Sequence, residues 1–245
     1  MASLGGTVIQ GGAARRGPGE RVRRTADRAA VSVRVPHYAQ TLDFTCGPSA
    51  LMMVMKALDP AAEMGRALEL QLWREATTIF MGSGHGGSGA FGLALAAHRR
   101  GFDAEVYVNH RGVFLADRAR SAEKREVMRL VQESDLREVA ARGIPVTYDR
   151  LDTEALEQKF RDGWLPIVLV STHYIHGDHV PHWVVVTGFD EASVSINDPW
   201  VDRKRGRTPA DMTDRRIPRR DFDGMARYGK AKERAAVLVR RRSTG

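Results

Sequence analysis

Three short apolar runs follow one another in the second half of the chain: Pro166-Ile-Val-Leu-Val170, Trp183-Val-Val-Val-Thr187 and Ser193-Val-Ser-Ile196. β-Branched residues dominate them and turn residues separate them, a pattern that suits a pleated sheet. Gly188-Phe-Asp-Glu-Ala joins the last two as a hairpin, so they should run antiparallel. Residues 235–239 read as a closing strand, and 31–35, 104–108 and 146–148 as further short ones.

The first half reads differently. Cys46-Gly-Pro-Ser-Ala opens a helix, because proline loses nothing in a first helical turn. Leu51, Val54, Met55 and Leu58 share one face of it, and Asp59-Pro60 stops it. Further helices are expected over 61–79 and over 91–100, where Gly101 ends the run. Residues 117–142 are charged with helical spacing and read as a solvated helical pair; 153–162 reads as a helix capped by Thr153 and closed by Gly163. Helices early and strands late argue an α+β fold, with N-terminal helices packed on an antiparallel sheet. No internal repeat is present. Residues 1–30, rich in Gly, Ala and Arg without an apolar period, are expected to be a disordered basic arm, and 31–245 a single domain.

At 245 residues and 42% hydrophobic composition, the chain has the means to bury a sizeable core. No apolar run approaches the ~20 residues that cross a bilayer. The N-terminus lacks the apolar middle of a signal peptide, so a cytoplasmic protein is expected; it is Arg-rich like an organelle transit peptide but lacks the apolar face of one. Much of the net charge of +8 sits at the ends, in Arg15, Arg16, Arg21, Arg23, Arg24 and Arg28, and in Arg240, Arg241 and Arg242. No aromatic residues interleave with these arginines, so the arms read as solvated and nucleic acid is not an expected partner. The oligomeric state is not written in the sequence.

The chain has one cysteine, Cys46, which excludes an internal disulfide. A thiol of ordinary pKa, about 8.5, is mostly unreactive at neutral pH. A helix N-terminus, with unpaired N–H groups and the positive end of the dipole, favours the thiolate. The same N–H groups suit an oxyanion formed by attack on a carbonyl. Gln40, six positions upstream, offers a second oxyanion donor. His182 stands at the entrance of one hairpin strand, and Asn197-Asp198-Pro199 ends the other. The hairpin therefore brings His182 and Asp198 to one end of the sheet, where an acid can orient an imidazole. Taken singly, Cys46 fits a buried small hydrophobe, Gln40 a surface amide and Asp198 an Asx-Pro turn.

Together, Gln40 with Cys46-Gly-Pro-Ser-Ala, then His182-Trp-Val-Val-Val-Thr-Gly, then Asn197-Asp198-Pro199 resemble the peptidase C39-like group of papain-fold proteins. Trp73-Arg-Glu-Ala-Thr-Thr-Ile-Phe-Met and Phe222-Asp-Gly-Met-Ala-Arg-Tyr-Gly-Lys resemble a stand-alone subgroup of it. The resemblance runs over about residues 33–240 and implies a papain-like cysteine-protease fold. It also implies roles: Cys46 as nucleophile, His182 as base, Asp198 as orienting acid and Gln40 as oxyanion donor. The expected activity is a cysteine hydrolase cleaving amide bonds, in a peptide or amide substrate, through a Cys46 acyl-enzyme. The alternatives are an acyl or amide transferase using the same thioester, or a non-catalytic binding protein on a papain-like scaffold. The intact four-residue set argues against the last, and fold alone does not choose among the rest.

Two other constellations compete. His173, His176, His179 and His182 recur every third residue, a possible metal set. Gly177-Asp178 and Pro181 break any regular helix between them, so no metal is expected, and His173 and His176 are placed at the cleft rim or in solvent. The Gly-rich loop at 82–89 lacks the lysine of a Walker loop and follows a helical segment, so no nucleotide or other cofactor is expected. The loop is read as a segment lying beside the thiol or as a linker.

Overall fold

The computed structural model describes residues 29–78 and 86–242. The basic arm, except for its last two residues, and residues 82–85 of the Gly-rich loop lie outside them.

Helix α1 (Cys46–Leu58) begins at the lone cysteine and stops before Pro60. Its Ala50-Leu-Met-Met-Val-Met sequence is apolar on every face, and the helix is buried all round through Met55 rather than along one stripe. Around it lie α2 (Arg66–Ala76) and α3 (Ala90–Arg99). Helix α2 is shorter than the expected 61–79. It starts only after Gly65, and Thr77, a β-branched residue, takes up extended geometry as its C-cap. The charged stretch contains one long helix, α4 (Ala122–Ala141), and not a helical pair. Neither Gly nor Pro interrupts it, Ser121 caps it, and Met128 and Val139 are its buried residues. Helix α5 (Thr153–Arg161) is capped by Asp152, whose carboxylate accepts from Ala155 N–H, and not by Thr153.

The strands are β1 (Val31–Ser32), β2 (Phe102–Val108), β3 (Val146–Thr147), β4 (Leu165–Ser171), β5 (Pro181–Phe189), β6 (Ser193–Asn197), β7 (Arg215–Pro218) and β8 (Ala235–Arg241). Among the described residues they form one eight-stranded sheet in the order β3-β2-β8-β4-β5-β6-β7, with β1 added beside β5. All pairings are antiparallel except that of β3 with β2. Strand β4 is buried along its full length, as its unbroken apolar run requires of a central strand. The expected hairpin is β5–β6, with Val185 opposite Asn197. Two helices were not foreseen: a single turn, α6 (His173–His176), and α7 (Arg219–Met225), which packs on β6 and β7. Helix α1 packs across β4 and β5, so the start of the helix meets the start of the hairpin.

Candidate active site

Cys46 is the first residue of α1 and is 7% exposed. Gly47 follows it because the Ser88 side chain presses on this turn: a Cβ at position 47 would stand 3.0 Å from that of Ser88. The described end of the Gly-rich loop, residues 86–89, thus packs beside the cysteine. Trp183 Nε1 donates to Ser88 O (3.0 Å) from the other side.

His182, the second residue of β5, is buried and reaches back toward α1. Its Nε2 lies 2.7 Å from Asp198 Oδ1, and the imidazole is hydrogen-bonded to the Cys46 thiol. Asp198, directly after β6, is wholly buried. Its Oδ1 also accepts from Trp200 N–H (2.8 Å), and its backbone N–H donates to Met212 O (2.9 Å). The hairpin therefore brings His182 and Asp198 to one point, and α1 brings the Cys46 thiol to the same point.

A second imidazole joins them. His176 Nε2 lies 2.8 Å from Asp198 Oδ2, so each oxygen of the buried carboxylate holds one histidine. The two rings meet edge to face with centroids 6.3 Å apart. The other two histidines of the run turn away and stack on each other, centroids 4.2 Å apart. The three-residue spacing thus splits into a pair on Asp198 and a pair outside the site. Among the described residues, no group of three or more His, Cys, Asp or Glu is arranged to hold a metal.

The charges reinforce one another. Burial pushes the Cys46 thiol up, but the charge and hydrogen bond of His182, with backbone N–H groups of Trp183 and Gly47, bring it below the ordinary thiol value. Burial would also push His182 down; the charges of Asp198 and Cys46 instead raise it to about 10. Burial likewise works against the Asp198 carboxylate. The charge of His182 and hydrogen bonds from both histidines overcome it and hold the acid well below the usual carboxylate range. These directions favour a thiolate–imidazolium pair over a buried carboxylate.

Gln40 stands across the thiol in a turn fixed to the acid's loop. Its backbone N–H donates to Pro199 O (2.9 Å), and His37 Nε2 beside it bonds Asp198 O (2.8 Å). One N–H of the Gln40 amide donates to Leu42 O (2.7 Å), which leaves the other free for a ligand. Gln40, Cys46, His176, His182 and Trp200 line a cleft of about 320 Å³, and Asp43, Asp178, Asp202 and Lys204 add charge to its walls. All four residues singled out in the sequence converge on this cleft or its floor. His176 joins them as a direct partner of Asp198, which spacing alone did not separate from its three neighbours. Glu69 had a clearer signal: it shares the buried face of α2 with Leu72 and Ala76, where a carboxylate needs a reason.

The model of the Peptidase_C39 like family matches residues 35–240. The chain belongs to this family. That span includes every residue of the cleft described above. No curated protein sequence matches the chain significantly. Among solved structures, the chain is similar to a protein described as a C39-like peptidase from Bacillus anthracis. They share 15% identity and a TM-score of 0.50, over 87% of this chain and 98% of that one. It is also similar to the peptidase domain of Streptococcus ComA, a bi-functional ABC transporter, at 16% identity and a TM-score of 0.46, over 84% of this chain and 97% of that one. The fold is that of the papain-like C39 peptidase domains, an α+β arrangement of helices on a largely antiparallel sheet. Among the described residues, no helix is long and apolar enough to cross a membrane.

Proposed function

We propose that the protein is a cysteine hydrolase that cleaves amide bonds in peptides, with residues 31–245 as one catalytic domain. The observation that carries this reading is the continuous link from Cys46 through His182 to Asp198 at the wall of a single cleft. The thiolate attacks the scissile carbonyl carbon and forms a C–S bond, while the carbonyl π pair moves onto oxygen. The free N–H of Gln40 and the backbone N–H of Cys46 stabilise that oxyanion. His182 gives its proton to the leaving nitrogen as the C–N bond breaks, which leaves a thioester on Cys46 and a neutral imidazole. The imidazole then takes a proton from water, whose oxygen attacks the thioester; the acid product leaves and the thiolate–imidazolium pair is restored. Asp198 keeps the imidazole oriented throughout, as the acid of such triads does.

The test is digestion of a proteome-derived peptide library followed by mass-spectrometric reading of newly formed ends. Wild type should create a defined set of ends that Cys46→Ala and His182→Ala do not. Identical product sets from wild type and both variants would reject the reading.

A further inference from the structure

We propose that Glu69 is the positioning residue of the oxyanion site, a role that rests on the acyl-transfer reading above. Glu69 lies on α2, outside the cleft, and is wholly buried. Its carboxyl group has no ion-pair partner among the described residues; what it gathers instead is one short stretch of chain. Tyr38 Oη donates to Oε2 (3.0 Å), Thr41 N–H to Oε1 (2.8 Å) and Thr41 Oγ1 to Oε2 (2.8 Å). Thr45 Oγ1 donates to Oε1 at close range, and Ser49 Oγ lies 3.4 Å from the same oxygen.

These donors bracket the two groups assigned to the oxyanion. Tyr38 and Thr41 stand on either side of Gln40. Thr45 and Ser49 stand on either side of Cys46, and Thr45 is the N-cap residue of α1. One carboxyl group therefore fixes the Gln40 turn and the helix start relative to each other. On its other side the same turn is tied to the Asp198-Pro199 loop, through Gln40 N–H and His37.

Thr45 ties the helix start to the same carboxyl group. A threonine at an N-cap ordinarily accepts from the N–H groups of the first turn. Here its single hydroxyl proton is shared between Glu69 Oε1 and Leu42 O (2.9 Å), and α1 has no side-chain cap. Glu69 thus anchors the N-cap residue itself, and with it the position of the Cys46 N–H that follows in the chain. Without it, the helix start and the Gln40 turn lose their shared anchor and are free to shift relative to each other.

The experiment separates acyl chemistry, which needs an oxyanion site, from alkylation, which does not. Acylation is read as p-nitrophenolate released from p-nitrophenyl acetate, as the Cys46 sulfur forms a thioester and the C–O bond breaks. Alkylation of Cys46 by iodoacetamide proceeds by displacement of iodide and reports only the thiolate–imidazolium pair. Glu69→Ala is expected to slow acylation by about a hundredfold, the scale of a small misplacement of reacting groups. Its alkylation rate should stay within about threefold of wild type, since His182 and Asp198 are untouched. Glu69→Gln should restore most of the acylation, because its amide oxygen still accepts while the hydroxyls, which both donate and accept, reorient toward its NH2 group. Glu69→Asp, which keeps the charge and draws the acceptors back by one methylene, serves if the alanine variant does not fold and should fall between them.

Equal loss of acylation and alkylation in the folded variants would reduce Glu69 to a structural residue and overturn the proposal. Full acylation in Glu69→Ala or Glu69→Asp would overturn it as well. Failure of wild type to acylate at all, with normal alkylation, would instead reject the acyl-transfer reading and take the Glu69 role with it.

Discussion

Replacing His182 by alanine removes the imidazole whose charge and hydrogen bond act on the buried thiol, and the consequence follows from the electrostatics. In wild type, the imidazolium persists up to about pH 10 and the Cys46 thiol is lowered, so the ion pair should exist throughout neutral pH. Without His182, burial is the largest influence left on the thiol, and it acts to raise the pKa. A thiol at or above its ordinary value of about 8.5 is ionised to roughly 1% or less at pH 6.5. The variant should therefore lose about a hundredfold in thiolate fraction at that pH. Part of this is returned, since a more basic thiolate is the better nucleophile, so the net loss in rate is smaller than the loss in thiolate fraction. The assay is iodoacetamide labelling followed by intact mass between pH 6 and 9. Wild type should react at a nearly constant rate from pH 6.5 to 8.5, while the variant should speed up about tenfold per pH unit below its pKa. A wild-type rate that climbs like that of an ordinary thiol, parallel to the variant, would refute the ion pair and the electrostatic argument behind it.

His176→Ala should leave Asp198 Oδ2 without its donor in a buried setting and cost about 1.5–3 kcal/mol, measured by urea denaturation; an unchanged midpoint would show that the second imidazole adds nothing to the acid's stability. Gly92→Ala would bring a Cβ within 2.7 Å of Ala76 Cα where α3 crosses α2; a loss of about 1–3 kcal/mol is expected despite the better helix propensity, and a raised Tm would contradict that close crossing. Glu157, buried on α5, binds Arg161 (2.7 Å) and Arg219 (2.6 Å), and these bonds outweigh its burial and lower its pKa. A lowered acid contributes stability that is present above the unfolded pKa of about 4.3 and is lost as pH falls through the folded value. Glu157→Gln should therefore flatten the stability profile between pH 5 and 3, and an unchanged acid slope would rule the residue out as a contributor.

The strands and the site were legible in the sequence for the same reason: both rest on short, unambiguous local signals. Apolar β-branched runs located β4, β5, β6 and β8. A cysteine opening a helix, with His182 and Asp198 at the two ends of a hairpin, gave the juxtaposition that the fold realises. What escaped depended on partners distant in sequence. Strand β7 offers Ile217 as its one buried residue among arginines and acquires its character from pairing with β6. The charged stretch gave no sign of where it would break, and it does not break across Ala122–Ala141. Asp152 and Thr153 are both good caps, and the choice was settled by one residue of register. His176 and Glu69 were hidden differently. Four histidines at equal spacing carry no mark of which two face the acid, and a buried glutamate is explained only once the turn it holds is in place.

A covalent acyl intermediate on Cys46 would show in the mass of the protein during turnover. The protein would be mixed with the peptide library, quenched in acid within milliseconds to seconds, and weighed intact, then mapped by digestion. A population carrying acyl fragments on Cys46, removable by hydroxylamine as a thioester is and absent from Cys46→Ala, is the result this account requires. Peptide cleavage that proceeds with no mass on Cys46, and that survives Cys46→Ala, would contradict it.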